Sequence, residues 1–564
     1  MLGYPAIGAA EIGSPIIATG VPANFDDWLA ASDQGTEFLV EIGAFVAEGT
    51  TTTGRGGLGD AEIGILEVGG SALQSSVSLT SELRYSRFGW TGDPSDAIRP
   101  NIQYAPRLTD GLRSNRRIPI LPEQARRADR LTGRIDFLNS DGALDDLRQN
   151  PINGQKAKVL FGRPTDAYAD YKSLFDGVGT VWSQGRDVLT ANVRSRGANL
   201  EVPIQTTLYT GTGGASGDAT VEGQPKPLIF GKVRNVTATL IDAQNLVYQV
   251  HDGEVASIDD VYDRAASLTF DSSAGDVADY QALVNATISA GEYAISTATG
   301  LFRLGSSPDG QITADVTGLN TAIDNIVLDI VRNYAVEMES RISTASVTGF
   351  GTLRSGTVGT FIGSNERATI ADVLDQLVAG LAGIPGYNRR GQFVIQRLRD
   401  PSTLPASLSL GHSDILSLRP RDTLVPRWRQ RVAYKRNWTT QQSDIAGAVS
   451  DDRRQFVQNR FSTVAASDTS VRDGWPNAND PDPLMSPFDS SSDAQTLADD
   501  LLALHGVGRE LVDITVGRLG FTVNSGQIVS IPWPRWDSNN SKRFAIVGIE
   551  ERPREGTITL TGWG

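Results

Sequence analysis

Short apolar and β-branched runs cut by turn residues follow one another through residues 101–203, and that rhythm leaves few folds open. Residues 135–138 form one strand-like run, closed by Asn139-Ser140-Asp141-Gly142, a strong turn signal. The runs KVLF (158–161), GVGTVW (177–182) and VLTANV (188–193) follow at the spacing of an antiparallel barrel or sandwich. With 564 residues, 39% hydrophobic, and 59 glycines, the chain can bury several cores, which excludes disorder throughout.

Other compositional facts narrow the chemistry. Cysteine is absent, so no disulfide framework, thiolate zinc site or cysteine nucleophile is available. The first residues, MLGYPAIGAA, carry no basic n-region, and nowhere do 18 apolar residues run together; neither a signal peptide nor a membrane span is expected. The net charge of −15 argues against a duplex-DNA binder, which needs a positive surface to release counterions. Of 51 basic residues, 44 are arginine and only seven lysine. Arginine is favoured at protein interfaces, which hints at assembly, although a GC-rich genome gives the same bias.

Along the chain, residues 1–35 form a Gly/Ala-rich segment with almost no charge. IGAAEIG (7–13) and LGDAEIG (58–64) repeat, but two copies are too few for a solenoid and read as two glycine-broken strands. In the middle, Ile323, Ile326, Val327, Ile330, Val331 and Tyr334 make one helical apolar stripe. Ile370, Val373, Leu374, Leu377, Val378 and Leu381 repeat it behind the capping pair Thr369 and Asp372. Both are expected as core helices packed on sheets. Residues 425–438 read as a strand and residues 439–493 as a long polar loop. A helix then opens with Ser492 and Gln495 as capping box and stops at Gly506, and strands are expected over 527–533, 543–549 and 557–563. The expected fold is multidomain and mainly β, of β-barrel or sandwich domains, with an inserted α+β region and a few docked helices.

Few residues point to catalysis. Gly54, Gly56 and Gly59 match G-x-G-x-x-G, but no helix opens there to meet a pyrophosphate, so a glycine turn is the better reading. His251, His412 and His505 lie in separate stretches and read as structural. Asp480-Pro481-Asp482-Pro483 lacks the alternating ligands of a calcium loop. No catalytic, metal-binding or cofactor-binding residue is assigned, and no cofactor is expected. Two arginine-rich stretches remain, residues 107–134 with eight arginines and the run around Arg427, Arg429 and Arg431 with Trp428 between them. Arginines interleaved with aromatics can form a platform for single-stranded nucleic acid. The negative net charge favours instead a barrel strand whose arginines pair with acidic groups of another subunit, and Arg427, Arg429, Arg431, Trp428, Arg116 and Arg117 are the candidate interface residues.

Several segments together carry a resemblance. GRIDFLNSDGALDDL (133–147), GQPKPLIFGKVRNV (223–236), LVYQVHDGEVASIDDVYDRA (246–265), GEYAISTATGLFRLGSSPDGQITADVTG (291–318) and FAIVGIEERPREGTITLTGWG (544–564) resemble the tail-tip (baseplate) hub proteins of phages and prophages with long non-contractile tails, the siphovirus type. The resemblance covers residues 95–400 and the C-terminal 75; residues 1–90 and the loop have no counterpart. It implies a structural, non-enzymatic virion protein at the tail tip, made in the host cytoplasm. Such a protein is typically a homotrimer whose subunits each give two related β-barrels to a near-sixfold ring, between sixfold tube and threefold tip. Implied neighbours are a distal tail ring, the tape measure, and central fibre or tip proteins, with phage DNA passing through unbound at ejection. The domains expected on this basis are 36–205 and 405–564 as hub domains, the second with the 439–493 loop, and 206–345 and 346–404 as an α+β and a helix-plus-strand insertion. A sixfold distal-tail-type adaptor or carbohydrate-contacting tip component, and a tail-borne wall or polysaccharide hydrolase, remain as alternatives.

Overall fold

The computed structural model describes residues 36–46, 79–124, 131–531 and 541–564. The 1–35 segment, the 7–13 and 58–64 repeat, the glycine run at 54–59 and three arginines of the 107–134 stretch lie outside them. The architecture is multidomain and mainly β, with several sheets and a few helices docked on them.

The largest sheet has 15 strands among the described residues and is open at both ends rather than closed into a barrel. Its order runs Ile415–Leu424, Arg509–Val516, Thr557–Trp563, Lys542–Arg552, then Leu108–Arg117, Thr132–Leu138, Val188–Ser195, Lys172–Gln184, Lys156–Gly162, Glu37–Val46, Leu79–Ser86, Gln103–Pro106 and Trp90–Thr91. Of these thirteen, the four named first come from the C-terminal part of the chain and the other nine from the N-terminal part; the remaining two, Leu408–Ser409 and Ile528–Ile531, pair with each other and join through Lys542–Arg552. They meet where Lys542–Arg552 pairs antiparallel with Leu108–Arg117, in the register Ile549 opposite Arg116 and Glu551 opposite Ser114. One apolar core lies under both parts. Phe521 packs edge-on against Phe38 at 6.4 Å and tilted against Phe161 at 5.7 Å, so removing either end would uncover the other.

The alternation read from sequence is visible in the burial. Val188–Ser195 buries every second residue, as does Thr557–Trp563 over most of its length. The strand expected at 527–533 is Ile528–Ile531, its predicted end lying outside the described residues.

Between the two ends sits the mixed region. Leu228–Thr237 is flanked by Gly359–Ile362 and Ile312–Thr317, with Gly231 facing Gly359. Gly231 has φ +78°, and a Cβ there would stand 1.9 Å from the Val358 carbonyl oxygen, so the close crossing requires glycine. Both predicted helices occur in this core. Each opens as an α-helix, Ile323–Asp329 and Ile370–Leu374, and continues as a π-turn, Ile330–Tyr334 and Asp375–Ala379. Thr369 and Asp372 cap the second reciprocally, as their spacing predicts.

The last third departs from expectation in two places. The polar stretch 439–493 contains the helices Asp451–Gln458 and Thr469–Gly474 and the strands Ser462–Ser467 and Leu484–Met485. Arg429–Tyr434 pairs with these two strands in a separate three-stranded sheet, outside the large one. Its Val432 joins Leu497 and Leu501 of helix Ser491–His505 in the core of the mixed region. That helix is capped by Ser490, two residues before the expected Ser492; an N-cap needs extended backbone, and Ser490 has it.

Candidate functional site

The arginine bias finds its use where the two ends of the chain meet. Arg427 lies just before the strand Arg429–Tyr434 and is buried. Its guanidinium grips Glu123, 304 residues away, through two parallel bonds, Nη1 to Oε1 at 2.8 Å and Nη2 to Oε2 at 2.7 Å. Burial pushes the Glu123 carboxyl up, but the hydrogen bonds and charge of Arg427 outweigh it and hold it below its ordinary value. Nη1 also donates to Gln430 Oε1, and the Arg427 backbone N–H donates to the carbonyl of His505 at the helix end. This clamp ties residues 425–430 to the segment leaving Leu108–Arg117.

A second pin crosses the same seam. Arg389, on the turn between strands Ile384–Tyr387 and Phe393–Gln396, is buried; it forms an ion pair with Glu551 and donates to the Val523 carbonyl at 3.0 Å. Glu551 accepts in addition from Ser114 Oγ at 2.6 Å. One carboxylate thus joins the C-terminal part, the N-terminal part and the inserted hairpin. Arg116 is buried beside this pin, and Arg117 on the opposite face is exposed. Along the exposed side runs a trough of about 670 Å³, lined among others by Arg113, Arg134, Glu550, Arg552 and Glu555.

The remaining candidates stand apart from the seam. Arg429 and Arg431 lie 3.8 and 3.3 Å from Asp480, and Arg431 donates to the Pro481 carbonyl. The Asp-Pro loop therefore receives guanidinium groups from its own chain. Trp428 is half-buried, with Arg429 and Arg472 both within 6 Å of its ring. Of the six residues singled out in the sequence, Arg116, Arg117 and Arg427 border the seam, and Trp428, Arg429 and Arg431 share one surface.

Sequence reading missed Glu123, Arg389 and Glu551. Their partners lie far away along the chain, and a lone charged residue in a turn or strand end gives no periodic signal; only the arginine excess pointed this way.

The histidines have structural surroundings. His251 Nδ1 accepts the Ile229 backbone N–H, and burial lowers its pKa to about 4. His505 is likewise lowered to about 4, first by burial and then by Arg427 and Arg509, so at neutral pH it is uncharged rather than the dipole-stabilising cation its helix-end position suggests. His412 opens a short 3-10 turn. Among the described residues no group of three or more His, Asp or Glu is placed to hold a metal ion, and no helix is long and apolar enough to cross a membrane. What the seam can do chemically is hold: arginine keeps its proton at any physiological pH and offers planar paired bonds.

No family model and no curated protein matches the sequence. Among solved structures, the chain is similar to a 43 kDa tail protein of prophage MuSo2 from Shewanella oneidensis, at 11% identity and TM-score 0.34 over 80% of this chain and 94% of that one. It is similar to a tail protein from Neisseria meningitidis MC58, at 12% identity and TM-score 0.33 over 81% and 95%. Prophage tail protein gp18 from Listeria monocytogenes EGD-e matches at 7% identity and TM-score 0.29 over 81% and 88%.

Proposed function

We propose that this chain is a structural protein of a bacteriophage tail tip, a baseplate hub whose copies form a ring between the tail tube and the tip. The observation that carries the reading is the seam. Strands from the two ends of the chain lie side by side in one sheet over one core, with the mixed region inserted between them. That is the layout expected if one subunit supplies two related β-elements to a ring, as the segments 133–147, 223–236 and 544–564 imply by resemblance. The bidentate Arg427–Glu123 pair and the Arg389–Glu551–Ser114 junction suit a part that must keep its shape under load. In the ring, exposed Arg117 and the charged trough beside it face a neighbouring copy, and three copies adapt sixfold to threefold symmetry. The negative net charge suits a lumen through which phage DNA slides without sticking.

Native mass spectrometry of the full chain tests this. A species near three times 60.3 kDa supports the hub. A hexamer moves the assignment to a sixfold adaptor ring, and release of sugars or peptides from purified cell wall by the isolated chain overturns the structural reading.

A further inference from the structure

Three guanidinium groups and two carboxylates line one cleft, and both carboxylates are already engaged by arginines other than Arg397 and Arg399. The cleft measures about 440 Å³ and lies between helix Thr344–Leu353, the segment after strand Phe393–Gln396, and the C-terminal half of helix Ser491–His505. Its charged lining is Arg354, Arg397, Arg399, Asp400 and Asp500. Arg354 spends its charge on Asp500, Nη1 to Oδ2 at 2.6 Å, and donates Nε to the Leu381 carbonyl. Asp400, next along the chain, is held by Arg509 at 3.0 Å and by Ser402. Arg397 and Arg399 have neither an ion pair nor a hydrogen bond among the described residues.

Arg397 is the telling member. It is half-buried, and burial together with the charges of Arg399 and Arg354 outweighs the attraction of Asp500 and pulls it below its ordinary pKa. A partly desolvated cation facing two others is unfavourable until an anion arrives, and an arriving carboxylate gains a charge-assisted, bidentate partner. The walls restrict which anion. Phe350, Leu353, Leu398 and Leu504 line the same cleft, a surface that a free inorganic anion would not use. Nucleic acid fits poorly: Phe350 is buried to 4% exposure and offers no open ring for a base, and the net charge of −15 repels a polyanion.

We propose that this cleft is a docking site for a peptide segment of a partner protein, with an acidic side chain on Arg397 and Arg399 and a flanking aliphatic side chain against Leu398 and Leu504. The identity of the partner as a neighbouring tail protein rests on the reading above; the peptide chemistry does not.

The test uses the full chain and three probes: acetyl-Leu-Glu-Leu-amide, acetyl-Leu-Gln-Leu-amide and inorganic phosphate, followed by ligand-observed NMR titration. The glutamyl peptide should bind saturably at millimolar concentration or below, and the glutaminyl peptide about tenfold more weakly. Arg397→Gln and Arg399→Gln, checked for unchanged circular dichroism, should each weaken the glutamyl peptide to a similar degree, while Arg397→Lys retains part of the affinity. Absence of saturable binding, equal binding of the two peptides, or complete displacement by equimolar phosphate would overturn the site as drawn. A hexamer or an active hydrolase would overturn the hub assignment and leave these titrations unchanged, so the two failures are distinguishable.

Discussion

Two buried carboxylates, Glu41 in the large sheet and Asp315 in the mixed region, sit in similar company and titrate in opposite directions. Burial alone would raise the Glu41 pKa, yet it is held at about 2, because the charge and hydrogen bond of Lys156 at 2.8 Å and the hydroxyls of Tyr104 at 2.6 Å and Tyr168 at 2.7 Å outweigh desolvation. Arg99 adds a second cation at 3.1 Å. Asp315 also has two arginines and a tyrosine, but Arg234 and Arg453 stand off at 3.6 and 3.9 Å. Arg234 is engaged bidentately with Asp489, and Arg453 lies over the Tyr262 ring and donates to Asn235. Burial therefore wins, and the Asp315 pKa is raised. About 1 Å of separation and prior engagement of the cations decide the sign.

The largest expected effect breaks the stronger cluster. Glu41→Ala leaves Lys156 and Arg99 with the partly exposed Glu82 as their shared carboxylate and strips two buried tyrosine hydroxyls of their acceptor. A loss of about 3–5 kcal/mol is expected in chemical denaturation of the full chain. A loss below about 1 kcal/mol would place the cluster with ordinary surface pairs.

Acid should sharpen the contrast. The folded pKa of Glu41 lies below its ordinary 4.5, so the unfolded chain takes up the proton first on acidification. Its contribution is complete above pH 4.5 and drains as pH falls toward 2, about 3 kcal/mol in all. Asp315 works the other way. Its folded pKa lies above 3.8, so its contribution is complete below pH 3.8 and is lost as pH rises through the folded value. Glu41→Gln should therefore flatten the acid limb of a stability–pH curve; an unchanged limb would refute the assignment.

Single hydroxyls give a smaller step. Tyr168→Phe removes a 2.7 Å bond to an ionised carboxylate and should cost about 2 kcal/mol. Tyr262→Phe removes a 3.2 Å bond to Asp315 and should cost less than half of that. Equal losses would mean that the difference in bond length does not separate the two hydroxyls.

These clusters also mark how far the sequence could be read. Strand alternation at Val188–Ser195, the capping box at Thr369 and the stop at Gly506 are local patterns, and each was legible because its physics lies within a few residues. The 439–493 stretch hid two helices and two strands because its elements are short and mostly polar, with Val457 the single buried residue of Asp451–Gln458. The strand Arg429–Tyr434 was recognised as a strand, but its place in a separate sheet depends on Ser462–Ser467 and Leu484–Met485, which were not. The seam was less visible still. Glu123 and Arg427, or Ser114 and Glu551, are 304 and 437 residues apart, and no spacing rule reaches that far.

The smallest expected effect is the most discriminating. Asp315→Asn keeps an Oδ1 that can accept the Asn235 backbone N–H, now at 2.7 Å, and its amide can donate to the Tyr262 oxygen. What it removes is a buried negative charge whose cations are already occupied elsewhere. Stability at neutral pH should change by no more than about 1 kcal/mol, with any change upward and growing with pH. The same exchange at Glu41, made by Glu41→Gln, removes the buried one of the two carboxylate charges that Lys156 and Arg99 share with Glu82 and should destabilise. If Asp315→Asn proved as costly as Glu41→Gln, Arg234 and Arg453 would have to close on Asp315 in solution. Distance and prior engagement would then no longer explain why the two carboxyls differ.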